Sequence, residues 1–377
     1  MSEVPFAAVR DWMFRDALPF WAAHGVDHLY GGFYEELNPD GSPTACSFKR
    51  VRVMCRQTYV FSHAAVLGWR EGARLSQLGA DYLVKHARTA DGGWARLLSR
   101  EGAIIDATPD LYDLAFVIFA MAWRYRASKD PDALKQARAT LDFIQHTMRA
   151  PAGGFWPPLP QSNVLLQNPH MHLAEACLAA FEASADQRFL DQATEIVALL
   201  QSRIFDGHSV GERFSADWLR MHDEAGRAIE PGHHFEWIWI LAQYQGLAGR
   251  DVSGFAPALA DFAERCGVDL ASHAVYDAVR DDGVVLRGSA RAWTSTERIK
   301  AWLALYELTG RDPREPLKQS LGLLFGRYFA TSLPGMWIDQ FDEQGAPMVE
   351  AVPASIVYHL FLAFSEVLRL EPRLRTL

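Results

Sequence analysis

Along the chain, segments that are apolar around most of a helical circumference alternate with segments that are apolar on one face only. RQTYVFSHAAVLGW, LAFVIFAMAWRYRA, HLAEACLAAFEAS, FEWIWILAQYQGLAG, TERIKAWLALYELTG and SIVYHLFLAFSEVLRL are of the first kind. They predict helices buried on several sides. PDALKQARATLDFIQHTMRA and QRFLDQATEIVALLQSRIF are of the second kind and predict half-exposed partner helices. Glycine–aromatic turns punctuate the pairs, as GGFYEELNPDG from Gly31, GGWARLLSREG from Gly92, GGFWPPLPQS from Gly153 and GMWIDQFDEQG from Gly335. Weaker copies stand at GERFSADW from Gly211 and in DDGVVLRG around Gly283. Their spacing centres on about 60 residues, the signature of a repeat architecture. Second turn signals inside several copies, such as Asn38-Pro39-Asp40-Gly41 and Asp342-Glu343-Gln344-Gly345, predict short β-hairpins.

Six helix pairs of this kind predict an all-α fold: an (α/α)6 barrel with short β-hairpin loops at one end. A linear solenoid fits less well, because its repeats are shorter and lack the long intervening loops. With no linker rich in Pro, Gly or Ser, residues 1–377 read as a single catalytic domain.

Composition narrows the class. A chain of 377 residues with 49% hydrophobic and 12% aromatic content can bury a large core. The net charge is −9 and no basic block occurs, which argues against nucleic acid or an anionic membrane as partner. No apolar run approaches the ~20 residues of a membrane span, and charges interrupt the apolar pattern of the N-terminus, unlike a secretory signal. Cys46, Cys55, Cys177 and Cys266 form no CxxC and read as reduced thiols, so a cytoplasmic protein is expected, as monomer or homodimer.

The polar residues recur at the starts of the buried helices. EPGHHFEWIWILAQY is the clearest case: Pro231 and Gly232 break the preceding segment and Glu230 stands at the positive end of the helix. His233 and Glu236 share a face with Trp237 beside them, and His172 and Glu175 repeat the spacing. A lone histidine on an apolar helix is commonly a core residue, but two His-x-x-Glu pairs at two helix starts weaken that explanation. The other repeats offer Arg56, Gln57 and Tyr59; Asp110, Tyr112 and Asp113; Asn168 and His170; Arg291, Trp293 and Glu297; and Tyr358 with His359. In a closed ring these positions converge on one mouth, building a pocket with apolar walls and a few polar groups. Asp110 is equally well explained as a helix cap. His63, His86, His208, His222 and His273 read as surface or core filling.

Imidazoles flanked by carboxylates move protons near neutral pH, and aromatic faces suit sugars. No nucleophile elbow, GxGxxG or GxxxxGK[ST] occurs, so proton transfer on a polyol is favoured over acyl, hydride or phosphoryl transfer. Metal binding is the rival role for the histidines. His170/His172 and His233/His234 are poor chelates on a helix, and HExxH is absent, so no metal and no cofactor is expected.

The strings KRVRVMCRQTYVFS, DLYDLAF, HMHLAEA, PGHHFEW, RAWTSTERIKA and YHLFLAFSE, in that order, resemble the N-acylglucosamine 2-epimerase superfamily, over about Gly31 to His359. That superfamily includes N-acylglucosamine and cellobiose 2-epimerases, mannose isomerases and related aldose–ketose isomerases. The resemblance implies the same barrel and a metal-independent reaction on a reducing sugar through an enediol, using two histidines. Its GHxxEW motif falls on Gly232, His233, Glu236 and Trp237, and its late Tyr-His pair on Tyr358 and His359. It implies His233 and His359 as catalytic histidines with Glu236 and His172, and Arg56, Glu175, Trp237, Trp293 and Glu297 as sugar contacts, to which the place of Tyr112 and Asn168 in the repeats adds those two. This chain has Thr294-Ser295 where the family commonly carries Pro-Gln. RQTYVFSHA and HMHLAEA look most like the mannose isomerase branch, which favours interconversion of D-mannose and D-fructose. A 2-epimerase is the alternative, and a glycoside hydrolase or lyase on the same barrel is the alternative from another class. No cluster of basic residues is obvious beside the motifs, which favours an unphosphorylated sugar.

Overall fold

The computed structural model describes residues 4–159, 163–348 and 350–377. Among these, twelve helices form two concentric rings. In chain order they are α1 (Phe6–Asp11, continuing through Trp12–Ala17 into Leu18–His24), α2 (Val51–Val66), α3 (Gly72–His86), α4 (Leu111–Ser128), α5 (Pro131–Thr147) and α6 (Gln167–Ser184). They continue as α7 (Gln187–Leu199), α8 (Pro231–Ala248), α9 (Phe255–Gly267), α10 (Ala292–Thr309), α11 (Arg314–Leu323) and α12 (Val357–Leu374). The even-numbered helices are the inner ring. Each packs on the next, and α12 packs back on α2, which closes the circle. An inner helix meets two ring neighbours, an outer helix and the lumen, which is why its sequence is apolar all round. In α8, every residue from Pro231 to Leu241 is buried.

Helix starts and stops follow local chemistry. Asp110, Asp130 and Asp186 cap α4, α5 and α7 by accepting backbone N–H bonds, so Asp110 is indeed a cap. Left-handed residues end four of the six inner helices, at Lys129 for α4, Ala185 for α6, Gly249 for α8 and Gly310 for α10.

After each of the first five outer helices the chain makes the same tight turn, closed by the bridges Val26–Phe33, Arg88–Trp94, Arg149–Phe155, Phe205–Val210 and Val268–Val275. Gly153 and Gly154 sit at φ 95° and 67° in the third, and a Cβ on Gly154 would meet Nε2 of His170 at 2.7 Å. In repeats four and five the turn is not at Gly211 or Gly283, where the sequence pattern puts it. It lies at Asp206–Ser209 and Asp269–His273, where an aspartate side chain accepts the turn's backbone N–H groups. The left-handed position falls to a single Gly207, at φ 93°, in repeat four and to His273, at φ 60°, in repeat five. Gly283 belongs to a later hairpin tip, closed by Arg280 N–H to Val284 C=O.

The expected hairpins exist, but the strands pair mainly from one repeat to the next. Phe48–Arg50 joins Leu97–Ser99, Val164–Leu166 joins Arg213–Ser215, Ala228–Ile229 joins Ala278–Arg280, and Ala290–Arg291 joins Gln340–Phe341. Glu36–Leu37 pairs with Val352–Pro353, stapling the first repeat to the last. In each case one of the paired strands ends at or just before the start of an inner helix. The ladders therefore hold those helix starts at one end of the barrel. All four cysteines are free thiols. Among the described residues no helix is long and apolar enough to cross a membrane.

Candidate active site

At that end the helix starts enclose a cavity of about 550 Å³. Of the residues expected at the site, Arg56, Tyr112, Asn168, His172, His233, Glu236, Trp293 and His359 line it. Glu175, Trp237 and Glu297, expected as sugar contacts, stand behind the wall instead. Their partners are protein groups: Trp237 Nε1–H donates to Gln167 Oε1 at 2.8 Å, while the two carboxylates hold histidines. Glu175 holds a histidine one turn back on its own helix, whereas Glu297 reaches sideways to the neighbouring inner helix.

Three imidazoles carry a carboxylate on Nδ1, leaving Nε2 for the cavity. His172 bonds Glu175 at 3.0 Å, His233 bonds Glu212 at 2.9 Å and His359 bonds Glu297 at 2.7 Å. The indole of Trp293 lies between His233 and His359, with ring centroids 5.6 and 5.4 Å away. Glu236 comes within 4.8 Å of both His172 and His359. Arg56 donates to the Tyr112 hydroxyl at 2.6 Å and lies over the Phe116 and Tyr358 rings. By contrast, His170 and His234 are structural. Each accepts a loop backbone N–H on Nε2, from Phe155 and Val210 respectively.

The environments drive the two outer histidines apart. Burial alone would lower the pKa of His233, but the Glu212 and Glu230 carboxylates outweigh it and raise the value to about 9. Burial, helped by the positive charges of Arg56 and Lys300, holds His359 well below the ordinary imidazole value. His172 is lowered to about 4, chiefly by burial. Burial and the neighbouring Glu297 carboxylate push the Glu236 pKa well up from the ordinary carboxyl value, and neither of its oxygens has a hydrogen-bond partner. The site thus holds a cationic imidazole and a neutral one about a shared aromatic wall, a division that separates acid from base.

Glu212, Gln167 and Lys300 were not expected here. Glu212 comes from an irregular loop, 21 residues before the histidine it charges, and its other oxygen accepts from Gln167 at 2.8 Å. Lys300 is wholly buried and ion-pairs with Glu297 at 2.7 Å. Its i,i+3 spacing from Glu297 was a legible signal; its burial was not. Replacing Glu212 by Gln should lower the His233 pKa. If His233 works as an acid, the alkaline limb of the kcat/KM profile, expected near pH 9 in the parent, moves to lower pH. An alkaline limb that stays in place would remove His233 from that role.

Two sets of ligand atoms, His172–Glu175–Glu236 and Glu236–Glu297–His359, each lie within 4.8 Å of one another and could hold a metal ion. A carboxylate on Nδ1 orients a metal-ligating imidazole as well as a proton carrier.

The family and the relatives that this chain matches make it a sugar isomerase or epimerase. The chain belongs to the N-acylglucosamine 2-epimerase (GlcNAc 2-epimerase) family, whose model matches residues 32–363. It is 33% identical to the mannose-6-phosphate isomerase of Rhizobium meliloti (strain 1021), over 94% of this chain and 95% of that protein. It is 27% identical to the D-mannose isomerase of Thermobifida fusca, over 90% and 89%. Its fold matches that of the cellobiose 2-epimerase of Bacillus thermoamylovorans B4167 with a TM-score of 0.87 at 18% identity, covering 97% of this chain and 98% of that one. The family assignment favours an isomerase or epimerase over the alternative of a hydrolase or lyase.

Proposed function

We propose that this chain interconverts a mannose-type aldose and its 2-ketose, with D-mannose and D-fructose as the parent pair, by metal-independent proton transfer through an enediol. One observation carries the reading: His233 and His359 face one cavity across Trp293, each held by a buried carboxylate, with opposite protonation states. The neutral His359 removes the proton at C2 and returns it at C1. The cationic His233 serves ring opening, by moving the proton between O1 and O5, and then the oxygen protons of the enediol, giving one to O1 and taking one from O2. Arg56, buried beside Tyr112 with its Nε unpartnered, faces the enediolate oxygen. Relatives named as mannose isomerases support a ketose product. The fold match to a cellobiose 2-epimerase supports a second reading, in which the C2 proton returns to the opposite face.

NMR of a panel of aldoses incubated with the enzyme in D2O tests both. Isomerisation yields the ketose with deuterium exchange; epimerisation yields the C2 epimer as first product. No exchange at C2 with any aldose would refute the shared mechanism. Activity is expected to survive exhaustive EDTA treatment. Loss that is restored by Zn²⁺, Mn²⁺ or Co²⁺ would assign the buried carboxylate–histidine sets to a metal.

A further inference from the structure

The outer half of the same cavity has a charge pattern that a neutral sugar does not use. Arg50, Arg52, Arg56, Arg96 and Arg291 all line it, against three carboxylates, Asp110, Glu230 and Glu236. Four of these arginines come from one corner. Arg50 is the N-cap of α2, Arg52 and Arg56 lie in its first two turns, and Arg96 C=O accepts the Val51 N–H at 3.1 Å. They are graded in depth. Arg56 is 5% exposed beside the reacting end of the cavity, while the side chains of Arg52, Arg50 and Arg96 are 25%, 34% and 39% exposed.

This placement works against local stability. Cations at a helix N-terminus oppose its dipole, and the first turn of α2 carries no acidic residue to offset them. Residues that break a local rule in concert are expected where function requires it. Each outer guanidinium is steadied from behind by one carboxylate: Arg50 by Glu35, Arg52 by Asp113 at 3.2 Å and Arg96 by Asp106 at 3.4 Å. Each uses only part of its five-donor fork in doing so. Burial also raises the Asp113 pKa, to about 7, which weakens its hold on the charge of Arg52.

We infer that Arg50, Arg52 and Arg96 form a phosphate subsite at the rim, which takes the 6-phosphate of a hexose whose C1–C2 end reaches His359. Guanidinium forks match a phosphate dianion in bidentate geometry, and three of them at the solvent end suit the terminal substituent of an extended sugar. The inference rests on the isomerase reading for the orientation of the sugar, and it replaces the expectation of an unphosphorylated substrate.

The test separates the two. Calorimetry with D-mannitol 6-phosphate and D-mannitol, which cannot react, reads the subsite without turnover; kinetics with D-mannose 6-phosphate and D-mannose read the reaction. The phosphorylated alditol is expected to bind at least about tenfold tighter than the free one, with inorganic phosphate competing. Arg96→Gln, chosen because Asp106 is itself part-exposed, should cut that preference, and the kcat/KM ratio of the two aldoses, about tenfold. Arg52→Lys, which keeps the charge but loses the fork, should cut it in part. Equal binding of the two alditols, or ratios unmoved in Arg96→Gln, overturns the subsite and leaves the isomerase standing. Tight alditol phosphate binding that Arg96→Gln weakens, with no turnover of either aldose, supports the subsite and overturns the isomerase.

Discussion

His359→Ala is expected to abolish solvent-hydrogen exchange at C2 and to lower kcat by about 10²-fold to 10⁴-fold with little change in KM. The residue is 4% exposed, lies against Trp293, and has its Nδ1 fixed by Glu297, which leaves Nε2 for the cavity. His233→Ala should lower kcat to a similar extent on a closed-ring sugar, yet retain slow C2 exchange on an aldehyde locked open. Exchange at the parent rate in His359→Ala would mean that the C2 base is elsewhere. The roles would then be swapped with His233, or passed to His172, whose Nδ1 is also held by a carboxylate.

Lys300→Met is expected to destabilise the protein by about 3–5 kcal/mol, the usual result of removing one partner of a buried ion pair. Lys300 is the buried cation among Glu175, Glu236 and Glu297, and it lies over the Trp239 ring. Its own pKa is raised, mainly by Glu297 working against burial, so its contribution is fully present below the unfolded lysine value and is lost only above it. Glu297 behaves in the opposite sense. Burial raises its pKa to about 7 despite Lys300, so its ionisation costs stability as pH rises from 4.5 toward that value. Without Lys300 the rise is larger and the cost extends to higher pH. The loss measured by chemical denaturation should therefore be greater at pH 8 than at pH 5. Adding Glu297→Gln should recover much of it. A loss below about 1 kcal/mol that does not vary with pH would mean that the cluster is neutralised in another way.

Much of the fold was legible because helical period, capping and punctuation are local. Each inner helix declared itself by being apolar all round, and Asp110 declared both its cap and its place at the mouth. The turns of repeats four and five were misplaced because they lack a glycine pair: Gly207 stands alone in one, and His273 takes the left-handed position in the other.

The sequence by itself determined which residues start the inner helices, and hence that His172, His233, Glu236, Trp293 and His359 share one mouth. Spacing along a helix dictates its face, and a repeat dictates equivalence. Only the tertiary structure decided the protonation of that set. Glu212 reaches His233 from a loop, Glu297 reaches His359 from the neighbouring helix, and Lys300 is buried only because the ring closes. It also decided that Arg50, Arg52 and Arg56, beside motifs where no basic cluster is obvious in the sequence, line one cavity together with Arg96, while Lys49 turns inward to Asp27. Charge and desolvation act through space, so their outcome depends on which distant segments the ring brings within a few ångströms, and no period along the chain encodes that.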